Sequence, residues 1–253
     1  MDGLTEPLIA VIGDPIAGNP SQFAIEFALK SLDLDFRVTS FHVQQENIVA
    51  ALDGLQVLDF RGVLVDDSLS MLAAAWRQGE SIEEYSGSPA NCLSRSGGDQ
   101  GDLIATDTHG QWLSEAIQAH FAQHGDPDKS CLWLGNRSKS FPSDIVDKEQ
   151  ITLSTRTPTV EAVTHANLIV LSTGPKGDVP LNVDEWPTGD GSKLIVDLTD
   201  GKEEICAAAE KGYRVISALD RQIGVVSKSF QLWTDAVPST TIIQEAIEEY
   251  LSV

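Results

Sequence analysis

The stretch Ile104-Ala105-Thr106-Asp107-Thr108-His109-Gly110 indicates how the whole chain is organised. A short apolar segment passes through one Asp and ends on a glycine, and a helical pattern follows over residues 111–123. An Asp at such a strand-to-helix junction is placed where a cleft between two domains would open. We therefore expect Asp107 to border a functional site near the middle of the chain.

Apolar segments typical of strands alternate with helical patterns on both sides of this stretch. The predicted strands are 8–12, 36–43, 60–65, 130–134, 151–155, 168–172, 194–198 and 214–216. The other predicted helices include 48–55, 202–211, 223–233 and 240–251. Strands that alternate with helices form mostly parallel sheets that helices cover on both faces, so the predicted fold class is α/β.

The composition excludes several classes of function. A net charge of -21 argues against nucleic-acid partners and anionic membranes, because both would repel the chain. No apolar run approaches the ~18 residues that span a bilayer, and residues 1–7 carry no basic cluster, so we expect a cytoplasmic protein. The three cysteines lie far apart and without zinc spacing. We expect them to be reduced and buried, and we expect no metal site.

Five short motifs follow the order in which they occur in shikimate dehydrogenases. Thr106-Asp107-x-x-Gly110 resembles the Asn-Thr-Asp-x-x-Gly motif of that family. The other matches are Gly13-Asp14-Pro15-Ile16, Phe60-Arg61-Gly62, Asn91, and Phe230-Gln231-Leu232-Trp233-Thr234. Each match is short, but their common order and spacing extend over nearly the whole chain. The chain therefore resembles the shikimate dehydrogenase family.

The resemblance implies two domains and an activity. Residues 1–103 with 218–253 would form an α/β substrate-binding domain, and residues 104–217 a shortened Rossmann-like domain that binds NADP. The implied reaction is the NADP-dependent reduction of 3-dehydroshikimate to shikimate, a step of aromatic amino-acid biosynthesis. The implied partner is a small hydroxy or keto acid. The sequence carries no signal for an oligomeric state.

The resemblance also implies roles for individual residues. Asp107 would be catalytic and would contact the substrate together with Ser21 and Asn91. Arg156, Thr157 and Thr173 would contact NADP. An Arg that closes the second strand of a Rossmann domain suits a 2'-phosphate, because its guanidinium pairs with phosphate oxygens.

Several positions depart from the pattern of the family. Ser70 stands where the family has the lysine that pairs with the catalytic Asp and relays the hydroxyl proton. Leu64 and Asp66 replace an Asn and a Thr, and Asn19 replaces the first of two substrate-binding serines. The added carboxylate makes the expected pocket more negative and opposes an anionic substrate such as shikimate. A turn-forming role is the simpler interpretation of Asp66.

The nucleotide turn departs from the family as well. Gly135-Asn136-Arg137-Ser138-Lys139-Ser140 contains one glycine, where a glycine-rich turn would let the backbone approach a pyrophosphate. The run to the next strand is too short for a full crossover helix. Arg137, Lys139 and Arg156 could still form a basic spot in this acidic protein.

Two functions are compatible with these residues. The first is an NADP-dependent oxidoreductase with an altered substrate, and the second is a non-catalytic protein of the same fold that binds a ligand or partner. Asp107 also fits a purely structural role as a buried or helix-capping carboxylate. Helix caps and turns explain Ser21 and Asn91 about as well as a ligand does, and Arg156 also fits an ordinary surface arginine.

Overall fold

The chain forms two compact α/β units in the computed structural model. The structure describes residues 6–95, 101–125, 130–138, 141–142, 145–174, 177–199, 201 and 203–252. The first unit comprises Met1–His109 and Gln222–Val253, and the second comprises Gly110–Arg221. The predicted α/β fold class is confirmed, while the substrate and nucleotide roles of the two segments stay predictions.

The first unit is built on a five-stranded sheet. Its strands are β1 (Leu8–Gly13), β2 (Arg37–His42), β3 (Gly62–Val65), β4 (Cys92–Arg95) and β5 (Leu103–Thr106), in the spatial order β2-β1-β3-β4-β5. Its helices are α1 (Ser21–Ser31), α2 (Ile48–Val57), α3 (Asp67–Gln78), the start of α4 (Thr108–Gln123), most of α7 (Ala218–Thr234) and α8 (Thr240–Leu251). Strands β1, β2 and β3 are parallel, and β4 runs antiparallel to both of its neighbours.

The apolar run of β1 explains its central place in this sheet. Residues 9–12 are at most 1% exposed, because helices cover both faces of the strand. Two of the motifs that carry the sequence resemblance also contact each other here. A Cβ at Gly62 would overlap the indole ring of Trp233, and Arg61 Nε donates to the Trp233 carbonyl oxygen over 3.1 Å. The glycine therefore makes room for the tryptophan, which has a packing role.

The second unit is built on a five-stranded parallel sheet. Its strands are β6 (Cys131–Leu134), β7 (Ile151–Ser154), β8 (Leu168–Leu171), β11 (Leu194–Asp197) and β12 (Arg214–Ile216), in the order β12-β11-β8-β6-β7. A hairpin of two short strands, β9 (Thr173–Gly174) and β10 (Gly177–Asp178), follows β8. The helices of this unit are α5 (Val160–His165), α6 (Glu203–Glu210) and the larger part of α4.

The connection from β6 to β7 has the shortened form that the sequence predicts. Among its described residues, the only helical segment is the 3-10 turn Lys148–Gln150. Phe141, Ile145 and Val146 are buried in the core of the unit, and the Phe141 ring packs edge-on against Trp133 with centroids 5.1 Å apart. These side chains cover part of the sheet that a crossover helix covers in a complete Rossmann unit.

Some local predictions need correction. Helix α4 begins at Thr108, three residues before the predicted start. The sequence patterns did not predict helix α3 or strand β4. Cys206 is exposed, whereas Cys92 and Cys131 are buried as expected. The reason is that Cys206 lies on the outer side of α6, next to the buried Ile205.

The described residues contain neither a membrane-spanning helix nor a metal-binding cluster. None of their helices is long and apolar enough to cross a bilayer. They also contain no group of three or more His, Cys, Asp or Glu side chains that could hold a metal ion.

Candidate functional site

The carboxyl ends of β1 and β3 bring polar side chains to one edge of the first sheet. Asp66 follows β3 and caps α3, since its Oδ1 accepts hydrogen bonds from Ser68 N (3.1 Å) and Ser68 Oγ (2.9 Å). Its other oxygen, Oδ2, accepts from Asn19 Nδ2 over 3.3 Å. Asn19 in turn accepts a hydrogen bond from Ser21 N over 2.9 Å. The Asp66 carboxylate at the start of α3 is therefore hydrogen-bonded to the Asn19 side chain in the turn before α1.

Ser70, the residue expected from the sequence resemblance to replace a lysine, lies in the first turn of α3. It is buried, and its Oγ donates to the Asp67 carbonyl oxygen over 2.9 Å. This bond occupies the only proton of the hydroxyl, and the side chain has no positive charge. Ser70 therefore cannot stand in for an ammonium group in a proton relay.

Asn91 precedes β4 and lies between the ends of β3 and β5. Its carbonyl oxygen accepts from Val65 N over 2.9 Å, and its Oδ1 accepts from His109 N over 3.2 Å. The side chain is 3% exposed, and its Nδ2 has no hydrogen-bond partner among the described residues. A buried amide that lacks an acceptor loses its hydration without replacement, so the unpaired Nδ2 is unfavourable for the free protein.

Asp107 lies between β5 and the start of α4 and is half-buried. The hydroxyls of the next residue, Thr108, and of Ser229 on α7 are 3.0 Å apart and both buried. Tyr85 has a raised pKa because it is desolvated by burial, and because the carboxylates of Glu80 and Asp107 disfavour its anion. Its hydroxyl donates to the Ser88 carbonyl oxygen over 2.6 Å. The Asp107 carboxylate therefore acts electrostatically on a neighbouring phenol.

The residues predicted to bind NADP lie at the carboxyl edge of the second sheet. Arg156 and Thr157 are exposed just after β7, and Thr173 is exposed in β9. Arg137 is exposed three residues after β6, which pairs directly with β7. Lys139 lies outside the described residues. Two of the three predicted cations therefore follow neighbouring strands.

The turn after β6 differs from the glycine-rich turns that bind pyrophosphate. Gly135 has a φ of 108°, and a Cβ there would overlap the Ser172 carbonyl oxygen. Beyond it, Trp133 Nε1 donates to the Asn136 carbonyl oxygen over 2.9 Å and lies 2.8 Å from Ser172 Oγ. The described residues between β6 and β7 contain no α-helix whose N-terminus could receive a phosphate. The glycine of this turn is therefore used for packing against β8.

The structure also shows an arrangement that the sequence patterns missed. Asp66 caps α3 and does not merely form a turn, and its bond to Asn19 has no counterpart among the predictions. An N-capping Asp followed by a helical apolar pattern, here Leu69 and Ala73, was the available signal for α3. The pairing with Asn19 depends on tertiary structure, because the two residues are 47 positions apart.

Comparison with known proteins relates this geometry to solved structures. No protein-family model and no curated protein matches the chain. Among solved structures, shikimate 5-dehydrogenase from Thermus thermophilus in complex with shikimate has 23% identity and a TM-score of 0.71, over 98% of this chain and 100% of that one. The ligand-free 5-ketofructose reductase of Gluconobacter sp. has 14% identity and a TM-score of 0.70, over 98% and 99% of the two chains.

A third similar structure is quinate dehydrogenase from Corynebacterium glutamicum in complex with NAD. It has 11% identity and a TM-score of 0.67, over 96% of this chain and 99% of that one. All three likenesses extend over nearly the full length of both chains, at identities that establish the fold alone. The chain therefore has the two-domain α/β fold of the shikimate dehydrogenases.

Proposed function

We propose that this protein binds a small polar ligand at the carboxyl edge of its first sheet and does not carry out NADP-dependent hydride transfer. The observation that carries the proposal is the buried Asn91 amide, whose Nδ2 has no hydrogen-bond partner among the described residues. A ligand oxygen next to Nδ2 would restore the missing hydrogen bond. Asp107 directly follows β5, and Ser21 is the first residue of α1; both are proposed as further ligand contacts.

Two features argue against catalysis. Ser70 replaces the lysine of the family, and its hydroxyl is committed to a backbone carbonyl. The turn after β6 offers neither a glycine-rich loop nor, among its described residues, a helix N-terminus for a pyrophosphate. The first feature weakens a proton relay in the first unit, and the second weakens cofactor binding in the second unit.

The first experiment is calorimetric titration with NADPH, with NADH as the control, followed by a ligand screen. The screen follows the side-chain amide resonance of Asn91 while small hydroxy acids, keto acids, and their neutral and cationic analogues are added. We expect no heat from either nucleotide and a shift of the Asn91 resonance with at least one ligand class. Turnover of 3-dehydroshikimate with NADPH would overturn the proposal, and so would an Asn91 amide that no compound perturbs.

A second candidate function is an NADP-dependent oxidoreductase with an altered substrate. It is favoured by the exposed Arg137 and Arg156 after neighbouring strands, which could pair with a 2'-phosphate. Solved structures of the same fold include a shikimate 5-dehydrogenase in complex with NADP(H) and shikimate, with a TM-score of 0.69. The test measures the affinity for NADPH. Arg156→Ala should weaken binding, whereas Lys148→Ala, a control at an exposed position, should leave it unchanged. Absence of binding to the wild-type protein would remove this candidate.

A further inference from the structure

A groove of about 290 Å³ lies in the first unit, bordered by α1, β2 and α8 and by the turn before α1. We propose that this α1–α8 groove binds a small organic ammonium ion that carries an aromatic or apolar group. The lining residues that carry the argument are Ile16, Asn19, Phe23, Glu26, Ser40 and Tyr250. The inference is independent of the ligand proposed for the edge of the sheet.

Aromatic rings form one wall of the groove. Phe23 is half-buried, and its ring centroid lies 6.1 Å from that of Tyr250 at the end of α8. Tyr250 is 38% exposed, so a ligand can reach its ring. The faces of such rings attract cations through their quadrupoles, and the rings and Ile16 offer apolar contact to a hydrocarbon group.

The charge of the lining selects a cation. Glu26 carries the negative charge, and the only hydrogen bond to its carboxylate within the described part of the chain comes from the neutral Gln22 side chain, over 2.8 Å. The described lining includes no Lys, Arg or His. By contrast, an adjacent groove of about 400 Å³ shares Glu26 but is also lined by Lys30 and Arg37. An ammonium ion would meet these two positive charges there, so it favours the α1–α8 groove.

Two hydroxyl groups complete the polar part of the groove. Neither Ser40 Oγ nor Tyr250 Oη has a hydrogen-bond partner among the described residues, and both residues line the groove. Each hydroxyl can accept a hydrogen bond from an ammonium N–H. A primary ammonium ion has three such donors, so it can use acceptors of both kinds, the carboxylate of Glu26 and a lining hydroxyl.

Asn19 links the groove to the edge of the sheet. It lines the groove, and its Nδ2 donates to Asp66 Oδ2 over 3.3 Å. A ligand in the groove therefore contacts a residue that is bonded to the cap of α3. Its binding should change the side-chain amide resonance of Asn19 as well as the resonances of Phe23 and Ser40.

The experiment titrates the full-length protein with phenethylammonium chloride and follows binding by calorimetry and by amide resonances. The neutral 2-phenylethanol is the matched control. We expect a dissociation constant of the order of 1 mM for the cation, as is reasonable for about nine non-hydrogen atoms. We expect the alcohol to bind at least about tenfold more weakly. No binding of the cation, or equal binding of the alcohol, would overturn the proposal.

Two variants locate the site. Glu26→Gln removes the charge from an exposed helix position, and we expect it to weaken binding about tenfold. Glu248→Gln is the matched control, because Gln244 Nε2 donates to Glu248 on α8 over 2.8 Å just as Gln22 donates to Glu26. The control should bind like the wild type, since Glu248 does not line the groove. Unchanged binding by Glu26→Gln would exclude this groove as the site.

Discussion

The three cysteines differ in how strongly the protein protects their thiols. Burial raises the pKa of Cys92 and of Cys131 to about 12 from an ordinary value of 9.0, while Cys206 is exposed on α6. The thiolate is the reactive form. The two buried thiols therefore react slowly for two reasons: a reagent cannot reach them, and their raised pKa keeps them protonated. We expect one thiol per chain to react rapidly with a disulfide reagent at pH 8, and three after denaturation. Rapid reaction of two or three thiols in the native protein would contradict this assignment.

The raised pKa of Cys131 also gives a pH dependence with a definite sign. Its folded-state pKa lies above the unfolded value, so its contribution to stability is present below pH 9 and is lost as the pH rises towards 12. Cys131→Ala lacks this contribution. We expect the stability advantage of the wild type over Cys131→Ala to shrink by about 1 kcal/mol between pH 8 and pH 10, measured by urea unfolding. An advantage that grows over this range would show that the sign is wrong.

Asn91 combines a structural bond with the group proposed to meet a ligand. Asn91→Ala removes the acceptor of the buried His109 N–H, so we expect a loss of about 1–3 kcal/mol in unfolding free energy. Asn47→Ala is the control, because Asn47 is exposed in the same unit and the hydrogen bond from its Nδ2 to Gln44 Oε1 is long, at 3.4 Å. The control should change stability by no more than about 0.5 kcal/mol. Equal effects of the two variants would show that the His109 bond contributes little.

At the scale of elements, the turn after β6 depends on close backbone contact. Gly135 and Gly177 both have positive φ, but they differ in what an added Cβ would meet: the Ser172 carbonyl oxygen at Gly135, and nothing within 4 Å at Gly177. Both changes to Ala incur backbone strain of roughly 1 kcal/mol. We expect Gly135→Ala to cost about 1–3 kcal/mol more than Gly177→Ala, because the added methyl group clashes with backbone. Thermal unfolding of the two variants measures the difference, and equal losses would contradict the packing of this turn.

Elements with strong local signals were predictable from the sequence. The strand predicted from the apolar run of β1 and the predicted helix Thr240–Leu251 both occur in the structure. Each has its pattern of apolar residues within a single short segment. Helix α3 was missed although Asp66 caps it and Gly79 ends it in the left-handed conformation. Strand β4 has four residues and is set by antiparallel pairing with β3 and β5, which no local pattern reveals.

At the scale of the whole molecule, the sequence predicted the fold class better than the site. The order of five motifs covers the chain, and the structural likenesses extend over 96–98% of it. The bond between Asn19 and Asp66 and the unpartnered Asn91 amide arise only when β1, β3 and β5 are aligned. Sequence patterns therefore did not predict the geometry of the site, while Ser70 and the single-glycine turn were visible in the sequence directly and support the proposal of lost hydride transfer.

Ser70 in the first unit and the single-glycine turn in the second can be tested separately by changing one unit at a time. A triple variant, Leu64→Asn, Asp66→Thr and Ser70→Lys, restores the family's residues in the first unit only. We expect it to show no NADPH oxidation with 3-dehydroshikimate. The turn that starts at Gly135 is unchanged, and the described residues between β6 and β7 offer no α-helix N-terminus to a pyrophosphate. Leu64 and Ser70 are buried, so circular dichroism must first show that the variant is folded.

Shikimate binding separates the two proposed causes of lost hydride transfer. If the folded triple variant gains shikimate binding, measured by amide resonances of the first unit, while turnover stays absent, the second unit limits the reaction. Ser70→Lys alone is the simpler comparison, since the new ammonium group would lie at the first turn of α3 near the edge that carries Asp107. Turnover by either variant would show that NADPH binds productively despite the altered turn. The proposed loss of hydride transfer would then rest on Ser70 alone.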